Sequence, residues 1–192
     1  MTRPTSCKAR ILDAAEAVAR EGGASKLTLD AVAERAEVSK GGVLYHFPTK
    51  EALLVGMVAS HIEQAQHRRC ELELESTGPE GPLKADVLAT LQRNPNDAEV
   101  SAALLAAVAN EPKLLEPCRI FHEARFERLA GKAPDEAFAR RALLPLAADG
   151  LFFLELLQVS PFTPEQRQVL IDTLLKLADE AVELAPEDVH ET

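Results

Sequence analysis

Apolar residues recur three and four positions apart along most of this chain, and no stretch alternates with the period of two that a half-buried strand requires. Ile11, Leu12, Ala15, Val18 and Ala19 share one face and predict a helix from about Ser6 to Arg20, stopped by Gly22 and Gly23. Leu29, Val32, Ala33 and Ala36 make a second face. Thr28 supplies a capping hydroxyl before it and Asp30 a negative charge in its first turn. Glu37 and Val38 form a turn, Ser39 caps a short helix from Lys40 to His46, and Leu44 and Phe47 are expected to anchor that helix from inside. Pro48 ends it. Thr49 then caps a long helix from Lys50 to about Glu75, with Leu53, Leu54, Met57, Val58, His61 and Ile62 along one side.

The run STGPEGP, residues 76–82, is the clearest break after residue 50. Beyond it the pattern predicts helices over about 83–92, 96–110, 114–130, 134–159 and 164–184. Asn96 with Glu99, and Thr163 with Gln166, have capping-box spacing, and Pro134 and Pro164 suit a first helical position. The expected fold is therefore all-α with about nine helices. An N-terminal three-helix bundle of helix-turn-helix type fills residues 1–50, a larger helical bundle fills 51–186, and 187–192 form an acidic tail.

The short helix at 40–46 is the odd element. It holds Gly41 and Gly42, each costing roughly 1 kcal/mol relative to alanine in a helix interior. A helix so poorly favoured by its own residues makes sense if its backbone must approach something closely, such as the floor of a DNA major groove.

Composition narrows the field. Alanine and leucine dominate, Trp is absent, and no run of about 18 apolar residues exists, so no membrane span is expected. The segment MTRPTSCKAR lacks the apolar core of a signal peptide, which leads to the expectation of a cytoplasmic protein. Cys7, Cys70 and Cys118 are odd in number and widely spaced; free thiols are expected, not a disulfide framework or a zinc site. Net charge is −10, unusual for a nucleic-acid binder, but it is unevenly spread: residues 1–58 carry +1 and the remainder −11. Electrostatics alone would not identify a DNA reader. His122 and Glu123 begin a zinc-protease pattern that Phe126 breaks, and no phosphate loop or nucleophile elbow occurs. Neither catalysis nor a cofactor nor a metal is expected.

The run SKGGVLYHFPTKEALL resembles the DNA-binding signature of the TetR family of transcriptional regulators. Ser39, Tyr45, His46, Phe47 and Lys50 carry that resemblance, which covers about the first 55 to 60 residues. The run AADGLFFLELL, residues 147–157, is similar to the dimer-side helix of multidrug-responsive members. The resemblance implies a homodimeric regulator, most often a repressor, that is released from a palindromic double-stranded operator when a small-molecule effector binds its body. Thr28, Ser39, Lys40, Gly41, Gly42, Tyr45, His46 and Lys50 are then the DNA-binding candidates. The plainer alternative makes Tyr45 and His46 half-buried packing residues and Lys50 a solvated surface lysine, and the whole pattern favours the DNA-binding reading. Met57, His61, Asn110, Phe121, His122, Arg125 and Phe152 are candidates to line an effector cavity, though each alone reads as core or surface. Leu146, Ala147, Gly150, Leu151, Leu154, Leu170, Leu174 and Leu177 are candidates for the dimer interface, against the simpler reading of monomer core. Two rival functions remain at this point. One is a constitutive DNA-binding dimer controlled by a partner protein or by cysteine oxidation; the other is a helical ligand carrier or enzyme with a structural N-terminal bundle.

Overall fold

The computed structural model describes residues 6–76, 78–92, 101–102, 104–105 and 112–183. Among them are eight α-helices, one 3-10 turn and no strand. The helices are α1 (Cys7–Lys26), α2 (Leu29–Arg35), α3 (Lys40–His46), α4 (Lys50–Leu74), α5 (Gly81–Leu91), α6 (Glu116–Ala130), α7 (Glu136–Leu156) and α8 (Pro164–Glu183). The 3-10 turn, Pro112–Leu115, leads into α6. Of the helix expected over 96–110, residues 101, 102, 104 and 105 are described and are helical; its capping box and the acidic tail lie outside the described residues. No helix among those described is long and apolar enough to cross a membrane.

The chain forms two compact units. The first comprises residues 1–64 and 94–121, the second residues 65–93 and 122–192. In the first, α1 packs on α2 and α2 on α3. Ile11, Ala15, Leu27, Val32, Val43, Phe47, Leu53 and Met57 form its core, and Leu104 and Leu114 join it. The thiol of Cys118 is half-buried against this core, and burial pushes its pKa up. In the second unit α5 packs against both α7 and α8, and α7 against α8. Leu83, Val87 and Leu91 of α5 meet Leu144, Ala148 and Leu151 of α7 and Ile171, Ala178 and Ala181 of α8 in one cluster.

Helix ends follow local chemistry, with three departures from expectation. The regular part of α1 breaks at Gly23, whose φ of 67° only glycine adopts readily, but a last turn continues to Lys26. Pro134 is not the first residue of α7. Asp135 caps that helix instead, accepting from Phe138 N at 2.7 Å, because a carboxylate at that place satisfies an exposed N–H that proline cannot. In α3, Val43 is fully buried and Leu44 is 38% exposed, so the inner anchor is Val43 with Phe47. The capping box at α8 forms as its spacing requires: Gln166 N donates to Thr163 Oγ1 at 3.2 Å and Thr163 N to Gln166 Oε1 at 2.9 Å.

Candidate nucleic-acid interface

Three hydroxyls start α2, α3 and α4. Thr28 Oγ1 accepts from Ala31 N at 3.1 Å, Ser39 Oγ from Gly42 N at 3.1 Å, and Thr49 Oγ1 from Ala52 N at 3.1 Å. The turn between α2 and α3 is closed by backbone bonds from Glu37 N to Glu34 O and from Val38 N to Ala33 O. Glu37 takes a positive φ of 54° there, while Val38 tucks against the core. From α1, Arg10 Nη2 donates to the Ala36 carbonyl at 2.8 Å and so fixes the end of α2. Seven-residue helices have little stability of their own. These caps and the buried pair Val43 and Phe47 hold α3 in place.

What remains outward on α3 is the chemistry singled out from the sequence. Tyr45 is 83% exposed, its ring edge-on to His46 with centroids 5.0 Å apart. Tyr45 is thus not a packing residue, and its hydroxyl is open to solvent. Lys40 and Gly41 are exposed, and Gly42 and His46 half-buried. Lys50 is half-buried at the first position of α4, and Thr28 and Ser39 are exposed caps. All eight DNA-binding candidates therefore lie in the first unit, on α3 and the starts of α2 and α4.

The two α3 glycines are not demanded by the protein interior. A Cβ built on Gly41 would come no nearer than 3.8 Å to any neighbour, and one on Gly42 no nearer than 3.5 Å. Gly56 of α4 is the opposite case. A Cβ there would stand 2.5 Å from Phe47 Cε1, so the aromatic ring that closes α3 lies directly on the α4 backbone.

The effector-cavity candidates are divided. Met57 is fully buried in the first unit's core, and His61 Nε2 pairs with Ser101 Oγ at 3.0 Å one turn further on. Phe121 belongs to the first unit, Asn110 lies outside the described residues, and His122, Arg125 and Phe152 belong to the second unit.

Arg125 belongs to a buried cluster that reasoning from sequence did not assemble. Its Nε and Nη2 donate to Asp86 at 2.7 and 2.6 Å, and its Nη1 to Asp149 at 2.7 Å. Arg69 Nε donates to the same Asp86 at 2.6 Å and Arg69 Nη2 to Thr90 Oγ1 at 3.2 Å. Burial alone would push the Asp86 pKa up. The hydrogen bonds and charges of Arg125 and Arg69 outweigh it and hold the carboxyl below its usual range. One network thus joins α4, α5, α6 and α7. The only signal in the sequence was a lone acid amid the apolar residues of 83–91, and its partners lie far along the chain.

On α7 and α8, the dimer candidates Leu146, Ala147, Gly150, Leu170 and Leu177 are exposed, and Leu154 and Leu174 half-buried. Leu151 is buried in the unit's own core, one helical face away from that stripe. Among the described residues no group of His, Cys, Asp or Glu is arranged to hold a metal.

Residues 11–57 match the family model "Bacterial regulatory proteins, tetR family", and residues 80–179 match "Tetracyclin repressor-like, C-terminal domain". The transcriptional repressor KstR of Rhodococcus jostii is 44% identical over 59 residues, which cover 31% of this chain and 28% of that protein. The match thus spans under a third of that relative's length. A transcriptional regulator from Rhodococcus sp. Rha1 superposes with a TM-score of 0.72 at 26% identity, covering 93% of this chain and 97% of its own. The multidrug binding protein EbrR, solved with imidazole, shares the fold with a TM-score of 0.67 at 20% identity, covering 92% and 94%.

Proposed function

Because the chain belongs to the TetR family of bacterial regulatory proteins, we propose that it is a sequence-specific DNA-binding regulator, a repressor released from its operator by a small molecule. The observation that carries this reading is α3 itself. Its caps and inner residues fix it to the fold, while Lys40, Gly41 and Tyr45 are exposed and no neighbour obstructs a Cβ at either glycine. Backbone N–H groups near Gly41 and Gly42 and the Lys40 ammonium would meet base edges, and Tyr45, His46, Thr28 and Lys50 would grip phosphates. One such helix reads only a few base pairs. A two-fold pair about 34 Å apart reads a palindrome, so the working form is a homodimer. The exposed apolar side chains of α7 and α8, Leu143, Leu146, Phe153, Val169 and Leu177, support those helices as its interface. Residues 1–50 would read DNA, and 51–186 would dimerise and take the effector, in the cytoplasm. Effector binding would shift the population toward a form whose two readers no longer fit one turn of duplex.

Selection of bound sites from random duplexes at fixed salt tests this directly. One palindrome should emerge, and Lys40→Ala should lose it. Recovery of nothing above non-specific background would overturn the reading and return the N-terminal bundle to a scaffold role.

A further inference from the structure

Asp30, in the first turn of α2, places its carboxylate oxygens 2.9 and 3.0 Å from the ammonium of Lys40 at the start of α3. The two side chains are 69% and 57% exposed. A pair so open to water adds little to folding stability, so the fold does not require it. Arg35, with Lys40 the only Arg or Lys of the 28–46 segment, is also held from within: its guanidinium meets the Glu21 carboxylate at 2.6 and 3.0 Å. Both cations of the helix-turn-helix are thus paired with carboxylates of their own unit, in agreement with a net charge of only +1 over residues 1–58.

Duplex DNA carries one negative charge per about 1.7 Å of axis, and phosphate contacts supply the part of binding that ignores sequence. A phosphate that approaches Lys40 must displace Asp30 and then lies beside its negative charge. A base edge carries no net charge. Guanine O6 and N7 accept from a lysine, and the cytosine amino group donates to a carboxylate. The pair therefore penalises phosphate contact more than base contact.

We propose that Asp30 is a specificity-determining residue that acts by positioning Lys40. By keeping Lys40 in an internal ion pair, it weakens attachment to any duplex while leaving base reading by α3 intact. The inference rests on the reading that α3 enters the groove.

The test uses the full chain, the duplex recovered by selection and a scrambled duplex of equal length, with affinities measured between 50 and 200 mM salt. Asp30→Asn should steepen the log–log salt slope on the scrambled duplex by about 0.9, one counterion, and lower the selected-to-scrambled affinity ratio several-fold. Asp30→Ser is a second neutral variant should Asp30→Asn fold poorly. Asp30→Glu should keep the original slope and ratio. In a Lys40→Ala background, Asp30→Asn should leave the slope where it was. A folded neutral variant with an unchanged slope overturns the proposal, as does an equal rise in the Lys40→Ala background, which would make Asp30 a bare repulsive charge. Loss of preference for the selected duplex in the unaltered protein would sink the DNA-reading function and the proposal together. A retained preference with an unchanged slope sinks the proposal alone.

Discussion

Replacing Asp86 by asparagine would remove the carboxylate that Arg69 and Arg125 both bind inside the second unit. Breaking a buried pair by removing one partner costs about 3–5 kcal/mol, so the urea midpoint of Asp86→Asn should fall by a corresponding amount. The pH dependence has a definite sign. Asp86 has a lower pKa folded than unfolded, so on acidification the unfolded chain takes up its proton first. The stability it contributes is whole above the unfolded value of about 3.9 and is lost as pH falls from there toward the folded value. Urea titrations carried from about pH 4 downward should show a decline that Asp86→Asn flattens. This cluster marks the limit of what residue types disclose. Asp86, Arg69 and Arg125 look like solvated charges until the packing of α4, α5 and α6 brings them together. Val43 and Leu44 show the same limit at smaller scale. In a seven-residue helix with adjacent apolar residues, the pattern does not fix which of the two turns inward.

At the scale of elements, the glycines of α3 and α4 separate folding from reading. Since a Cβ at Gly41 or Gly42 would make only ordinary van der Waals contact, Gly41→Ala with Gly42→Ala should stabilise the protein by up to about 1 kcal/mol per site through helix propensity. If the α3 backbone approaches the groove floor, the same pair should weaken operator binding on the order of tenfold or more, the equivalent of about 1.4 kcal/mol. A melting scan and a binding titration on one variant would thus move in opposite directions. Gly56→Ala should lower both, since its methyl would press on Phe47; overpacking of this kind costs about 1–3 kcal/mol. Elements were the most legible level of the sequence. Thr28, Ser39, Thr49 and the Thr163–Gln166 pair cap where their spacing indicated, because capping depends on neighbours a few residues away. At α7 the expected start at Pro134 gave way to Asp135, whose carboxylate caps the helix.

For the whole molecule, the proposed dimer gives the exposed leucines of α7 and α8 a role that a monomer does not. Leu146→Glu combined with Leu177→Glu places like charges on that stripe. Light scattering should then report half the mass, and operator affinity should fall sharply, since a lone reader loses the second half-site. A dimeric double variant would move the interface elsewhere. The sequence suggested a boundary near residue 50. The compact grouping carries the first unit to Gln64, because Leu53, Leu54, Met57 and Val58 of α4 complete the reader's core. That burial depends on partners in α1 and α3, which a local pattern does not contain.

The half-buried Cys118 gives this chain a built-in chemical clock. Cys7 and Cys70 are exposed and should alkylate in an immediate burst, while the Cys118 thiol, less ionised and half-buried against the first unit's core, should react more slowly, and faster whenever that core opens. Labelling of the untagged protein should therefore show two fast equivalents and one slow one. Operator DNA that stabilises the reader should lengthen the slow phase alone, so a thiol with no part in recognition would time how often the recognition module breathes.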